Sequence, residues 1–245
     1  MPVILFLVAV VAGAINSVAG GGSFLTLPAL LFTGVTPVVA NATSTLGMWP
    51  GSLASAVAYR RELGMRTRWV APLVAVSLLG GFLGAVLLVR TSDTSFMRLL
   101  PWLMLLAAST FTFGNLVRSA LPLEQLHGNL LLVLALQFGI AVYGGYFGGG
   151  MGIMMLASFS LAGMIDMHEM NGLKTLLGAA INALAMVQFV ITGVVAWSPG
   201  LVMIAGSILG GYVGAAVARK VNQRWVRAVV IVIAWTMTAY FFLEG

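Results

Sequence analysis

Apolar residues run through this chain in long unbroken blocks separated by short polar turns, and the blocks follow the same order twice. A first helix is expected over Val3 to Val18 and again over Leu130 to Phe147. A longer apolar stretch with a break inside it follows in each half, Ser23 to Tyr59 and Met151 to Thr192. Two further helices close each half: Val70 to Val89 with Phe96 to Val117, then Leu201 to Ala218 with Trp225 to Leu243. These blocks are continuously apolar, whereas a membrane β-strand alternates lipid-facing and lumen-facing residues with period two. The expected fold is therefore all-α, with about 8 long hydrophobic blocks, each sized to a bilayer core that takes roughly 20 helical residues to cross.

Composition agrees with lipid as the solvent. Of 245 residues, 60% are hydrophobic and 7% charged, against roughly 25% charged in an ordinary soluble domain. No charge precedes the first apolar stretch, where a cleavable signal would carry a basic segment, so that stretch reads as a retained helix. The net charge of +6 comes from Arg residues that sit mostly in short loops. Positive-inside orientation accounts for them, and no nucleic-acid partner is expected. With no cysteine there is no disulfide and no thiolate metal site, and the two His, His127 and His168, do not make a metal or haem set. No cofactor and no metal are expected. The chain is expected to be a multi-pass protein of the cell inner (plasma) membrane.

The duplication is written in the residues. Ser77-Leu78-Leu79-Gly80-Gly81-Phe82-Leu83-Gly84-Ala85 returns as Ser207-Ile208-Leu209-Gly210-Gly211-Tyr212-Val213-Gly214-Ala215. Gly20 to Gly22 matches Gly148 to Gly150, Asn41 matches Asn171, and Phe96-Met97-Arg98 matches Trp225-Val226-Arg227. Residues 1–117 are thus read as a first membrane repeat, 118–129 as a linker and 130–245 as a second repeat.

Bases then orient the halves. Arg60, Arg61, Arg66 and Arg68 follow the first broken stretch, while the equivalent loop Gly193 to Pro199 has no charge. The next loop reverses the bias, with Arg219, Lys220, Arg224 and Arg227 in the second half. Equivalent loops on opposite sides of the membrane point to an inverted repeat, each half crossing an odd number of times, in preference to eight plain spanning helices in a parallel repeat, which would put four bases outside. The broken stretch therefore has to enter and return: a half-helix from Ser23 to Thr33, a break at Gly34 to Pro37 at some depth in the bilayer, and a helix resuming at Asn41.

Backbone that leaves helical geometry inside a membrane must be buried in protein or line a wet cavity, so the breaks are where a site is expected. Asn41, Thr43, Ser44 and Thr45 follow the first break; Asn171, Lys174 and Thr175 follow the second. Both runs are expected to open a helix, whose free N–H groups and positive dipole end favour a small oxyanion. Lys174 is the one base inside an apolar block, and either neutralises substrate or pairs with Asp166 or Glu169. Gly21, Gly22 and Ser23, with Gly149 and Gly150, supply either a bend that brings backbone to substrate or close helix packing. Packing alone accounts for Gly80, Gly81, Gly84, Gly210, Gly211 and Gly214. Asp166, His168 and Glu169 read as a solvated loop rather than a proton relay.

Gly20-Gly21-Gly22-Ser23-Phe24 followed by Leu27-Pro28, then Asn41-Ala42-Thr43-Ser44, and the repeated Gly-Gly-x-x-Gly helix together resemble the TauE/SafE sulfite exporter family over nearly the whole chain. The resemblance implies a secondary permease, usually an exporter, for sulfite, organosulfonates or related small sulfur-containing anions; it supplies no catalytic residue. The chain has no phosphate-binding Gly-x-x-x-x-Gly-Lys-Ser/Thr segment and so does not itself hydrolyse ATP. Two other classes are weighed against transport: a membrane-embedded Ser/Lys hydrolase using Ser44 and Lys174, and a membrane subunit of a larger complex. The sequence leaves open whether the chain forms a homo-oligomer.

Overall fold

The computed structural model describes residues 1–18, 21–58, 67–120, 129–164, 166–217 and 223–244. Among them are ten helices and no strand: α1 (Pro2–Val18), α2 (Ser23–Phe32), α3 (Pro37–Ala58), α4 (Thr67–Val89), α5 (Asp93–Ala120), α6 (Leu130–Tyr146), α7 (Met151–Leu161), α8 (Met167–Ile191), α9 (Trp197–Val217) and α10 (Gln223–Glu244). Four of them, α4, α5, α8 and α10, hold segments long and apolar enough by themselves to cross a membrane. The fold is that of an all-α membrane protein. Ten helices stand where about eight long blocks were expected because each broken stretch contributes two. Residues 60, 61 and 66 of the first basic loop, 219 and 220 of the second, most of the linker and Gly20 fall outside the described residues.

The two breaks have one construction. Gly34 (φ +84°) and Gly163 (φ +85°) take the left-handed conformation that a side chain resists. Val35 N–H donates to Leu30 O at 3.3 Å and Gly34 N–H to Leu31 O at 2.9 Å; Met164 N–H to Phe159 O and Gly163 N–H to Ser160 O repeat the pattern at 3.0 and 3.1 Å. This is the double bond that closes a helix on a left-handed glycine. The helices so ended, α2 and α7, have 10 and 11 residues, roughly half the length needed to cross a bilayer core.

Glycine packing fixes how the helices run. A Cβ added to Gly206, Gly210 or Gly214 of α9 would strike the backbone of α1 at Phe6, Val10 and Ala14 in turn, so α1 and α9 run parallel. On the other side of α9, Gly200 meets Thr43 and Leu46, Met203 meets Gly47 and Ser207 meets Gly51, so α3 runs the same way. Gly80 and Gly84 of α4 meet Phe138 and Val142 of α6, again parallel. Trp49 Nε1 donates to Ala179 O (2.9 Å) and Ala196 N–H to Thr43 Oγ1 (2.9 Å), which sets α8 antiparallel to α3. Val38 N–H donates to Asp93 Oδ1 at 2.8 Å, placing the start of α3 beside the α4–α5 turn. So α1, α3 and α9 run one way, and α4, α6 and α8 the other. Each of these helices is opposed to its copy, and the packing falls into equivalent pairs: Gly211 lies on the Gly51 backbone as Gly81 lies on that of Ile181.

Two expectations are corrected here. Gly22 lies by Met48 and Thr26 by Ser44, so α2 runs back between the parallel α1 and α3. The helices α1 and α2 are therefore antiparallel neighbours on either side of the glycine run. The break at residues 33–36 lies instead at the end of the helical layer, level with Asp93, with Gly34 exposed and nothing near it. The helices after the breaks also begin at Pro37 and Met167, so Asn41 and Asn171 sit a turn inside them.

Candidate functional site

The two glycine turns, far apart in sequence, meet in the interior. Gly21 (φ +95°), Gly148 (φ +80°) and Gly150 (φ +77°) turn the chain from α1 into α2 and from α6 into α7. A Cβ at Gly148 would lie 3.9 Å from Ser23 Oγ. Between the turns stands Phe111 of α5, fully buried, with its ring atoms 2.9 Å from the Cβ position of Gly21 and 3.6 Å from that of Gly150. Phe24 packs edge-on against it, ring centres 6.0 Å apart. The turns that carry Gly21, Gly22 and Ser23 and Gly149 and Gly150 thus lie side by side, and Gly22 is also packed on the α1 backbone at Ala12. The Gly149 carbonyl lies 2.7 Å from the Tyr143 hydroxyl.

Polar side chains from the following helices reach the ends of α1 and α6. Asn41 Nδ2 donates to Tyr146 O at 2.9 Å. Lys174 Nζ lies 3.5 Å from Val18 O. Tyr146 and Val18 are the last residues of α6 and α1 and copies of one another in the duplication, so a side chain of each half holds the corresponding helix end of the other. A helix C-terminus carries free carbonyls and the negative end of the dipole, which suits an amide donor and suits an ammonium better. Lys174 is 3% exposed. Among the described residues the carbonyl is its recorded partner, and the pairing with Asp166 or Glu169 weighed from the sequence is not seen. Asp166 is exposed and accepts from Glu169 N–H at 3.4 Å.

The remaining predicted residues hold helices together. Thr43 receives the Ala196 N–H. Ser44 Oγ lies 2.6 Å from Thr26 Oγ1, so Ser44 and Lys174 have separate partners rather than one another. Thr45 and Thr175 donate to the carbonyls of Asn41 and Asn171 on their own helices, at 3.1 and 2.9 Å. Asn171 is different: it is 1% exposed and its Oδ1 has no partner among the described residues. It shares a face of α8 with Lys174, three residues on. At each helix start one N–H is taken by a carboxylate, that of Val38 by Asp93 and that of Glu169 by Asp166.

Sequence reading missed two residues at this place. Phe111 is one of 13 phenylalanines, with nothing in its neighbourhood to single it out. Arg227 was counted with the bases of a loop, though it also falls within the expected helix Trp225 to Leu243. It lies on α10, half-buried, with Nη2 2.6 Å and Nε 3.2 Å from the Phe111 carbonyl oxygen, a contact the sequence did not show.

Helices of membrane-spanning length around an interior of buried glycine turns, amides and a buried cation define an integral membrane protein, and its class is that of membrane transporters. The chain belongs to the sulfite exporter TauE/SafE family, whose model matches residues 5–241. A probable membrane transporter protein of Haemophilus influenzae is 31% identical over 237 residues, 96% of this chain and 92% of that relative. The probable membrane transporter protein YfcA of Escherichia coli is 27% identical, covering 99% of this chain and 90% of its own length. The probable membrane transporter protein YunE of Bacillus subtilis is 23% identical over 99% of this chain and 98% of its own. No solved structure matches the chain significantly.

Proposed function

We propose that the protein is a secondary transporter of the cell inner membrane that exports sulfite, organosulfonates or related small sulfur-containing anions by alternating access. The binding site is centred where the two glycine turns meet. One observation carries this reading: Lys174, buried beside the α1–α2 turn, has a neutral carbonyl and no carboxylate as its partner among the described residues. An uncompensated cation inside a membrane is costly, and a substrate anion is the partner that removes the cost. Asn171, Ser23 and the buried backbone N–H groups of Gly21, Gly22, Gly149 and Gly150 supply hydrogen bonds around it. The opposed directions of equivalent helices support an inverted repeat, and each half then crosses three times, by α3, α4 and α5 or by α8, α9 and α10. Rocking of one half against the other exposes the central turns to each side in succession.

The test is flux. Purified protein in liposomes is expected to move sulfite down its gradient with no partner and no nucleotide, and protein-free liposomes not to. In binding, sulfite or a small sulfonate is expected to raise the Tm of the detergent-solubilised protein, since a ligand that binds the native state stabilises it. Absence of both effects for sulfite, sulfate, thiosulfate and small sulfonates sinks the substrate class.

Sidedness has its own measurement. The basic segments around residues 60–68 and 219–224 are expected to be cytoplasmic, both termini and the α8–α9 turn outside. Single cysteines placed at Gly64 and Ala196 of this cysteine-free chain are expected to react differently with an impermeant thiol reagent in intact cells. Position 196 labels and position 64 does not; the opposite pattern reverses the orientation.

A further inference from the structure

We propose that Arg227 is a second anion-binding residue of the transport path, standing across the α1–α2 turn from Lys174; this rests on the transporter reading above. Its guanidinium directs Nε and Nη2 at one carbonyl, that of Phe111. A guanidinium has five donors in a planar fork that matches an oxyanion, and a single carbonyl oxygen uses two of them. No carboxylate is paired with it among the described residues. The cation is thus half-buried, with a neutral partner and donors to spare.

Its place ties it to the substrate site. The ring of the same Phe111 fills the space between the Gly21 and Gly150 turns. One turn along α10, Val230 is buried against Gly21, with Cγ1 3.2 Å from the Cβ position. Arg227 therefore approaches the α1–α2 turn from α10, as Lys174 approaches it from α8 through Val18. Two cations with carbonyl partners thus lie on the two helices, α8 and α10, that meet the α1–α2 turn at Val18 and Gly21.

The duplication separates this from a scaffold role. The copy of Arg227 is Arg98, which is exposed at the start of α5. The copy of Lys174 is Ser44, whose partner is a hydroxyl. The Lys174 charge is not repeated in the other half, and the arginine is repeated only as an exposed residue, so the partly buried pair of charges belongs to one half. An anion reaching that turn meets the fork of Arg227, which leaves or shares the Phe111 carbonyl to take it.

Arg227→Gln keeps an N–H donor for the Phe111 carbonyl and removes the charge; Arg227→Lys keeps the charge and removes the fork. In wild-type protein shown to bind sulfite, Arg227→Gln is expected to weaken sulfite binding about tenfold or more, as loss of a charge-assisted hydrogen bond does. Arg227→Lys is expected to recover most of the affinity, with both variants melting near the wild-type Tm in the absence of anion. A Gln variant that binds sulfite within twofold of wild type overturns the proposal, and so do equal losses in Gln and Lys. If the Gln variant does not fold, phenylglyoxal modification of the wild type decides. Sulfite is expected to protect the peptide carrying Arg227, and modification at an unchanged rate overturns the assignment. Wild-type protein that binds no sulfur oxyanion fails the transporter reading itself, a separate result.

Discussion

Lys174→Met is expected to abolish sulfite flux while the protein still inserts, folds and melts at or above the wild-type Tm. The buried ammonium lies against the Val18 carbonyl, and a lysine at the centre of a membrane helix costs roughly 2.5–3.5 kcal/mol on insertion scales. Methionine of similar length removes that cost and leaves only a helix-end carbonyl without its donor, worth about 1–3 kcal/mol. The two terms nearly cancel in stability, whereas the counter-charge for substrate is lost entirely. Lys174→Gln separates the roles, because an amide can donate to Val18 as Asn41 donates to Tyr146. If the ammonium only tied down the end of α1, the Gln variant would transport; if it neutralises substrate, Gln fails as Met does. Lys174→Arg is expected to retain flux with altered selectivity among sulfite, sulfate and sulfonates, since a planar fork replaces a compact point charge. Flux at wild-type rate in Lys174→Met would remove Lys174 from the site, leaving amides, hydroxyls and backbone.

The architecture was legible because lipid leaves a strong signature in sequence. Continuous apolar blocks placed the unbroken helices to within a few residues and the broken stretches as wholes, and the duplicated Ser-x-x-Gly-Gly-x-x-Gly-Ala segment identified α4 and α9 as helices packed closely on their neighbours. What sequence could not place was depth. A break such as Thr33 to Thr36 and a glycine run such as Gly20 to Gly22 both interrupt a helix, and nothing local distinguishes a turn at the membrane surface from one in its middle. The distinction is tertiary: Asp93, far along the chain, holds the start of α3 at the outer level, while Phe111 and Ser23 enclose the glycine turns. The role of Arg227 was hidden for a related reason. It follows Arg219, Lys220 and Arg224 and reads as an orienting base at a helix start, and only the fold brings it to the Phe111 carbonyl. Lys174 needed no tertiary knowledge, since a lone base in an apolar block is visible at once, but its contact within the protein could not be read from sequence. Acids nearby in sequence were the obvious candidates, and the group that meets it is a backbone carbonyl 156 residues away.

Gly84→Ala and Gly139→Ala, the same added methyl on two neighbouring helices, are expected to shift stability in opposite directions. Gly84 lies on the backbone of α6: its Cβ would meet the Val142 carbonyl oxygen closer than any side chain tolerates, with Tyr146 N at 2.7 Å and Gly145 C at 2.9 Å. These are main-chain atoms of a packed helix and cannot rotate aside, so α4 and α6 must separate along their length. Without a hydrophobic force between helices in lipid, close packing and the hydrogen bonds it permits are what hold them, and separation forfeits both. The loss is expected near the upper end of the roughly 1–3 kcal/mol usual for overpacking, read as a lowered Tm in detergent and less protein in the membrane. Gly214→Ala should match it, because that Cβ would meet Ala14 Cα at 2.5 Å and Ser17 Oγ at 2.6 Å in the equivalent place on α1. Gly139 has nothing within 4 Å of its Cβ position, so there alanine only improves the helix, by about 0.5–1 kcal/mol. Gly84 also stands opposite Tyr146, the helix end that Asn41 holds, so displacement of α6 carries the second glycine turn with it. Flux is therefore expected to fall in Gly84→Ala even at temperatures where the protein remains folded. Equal, small effects of the two substitutions would mean that α4 and α6 are not in backbone contact.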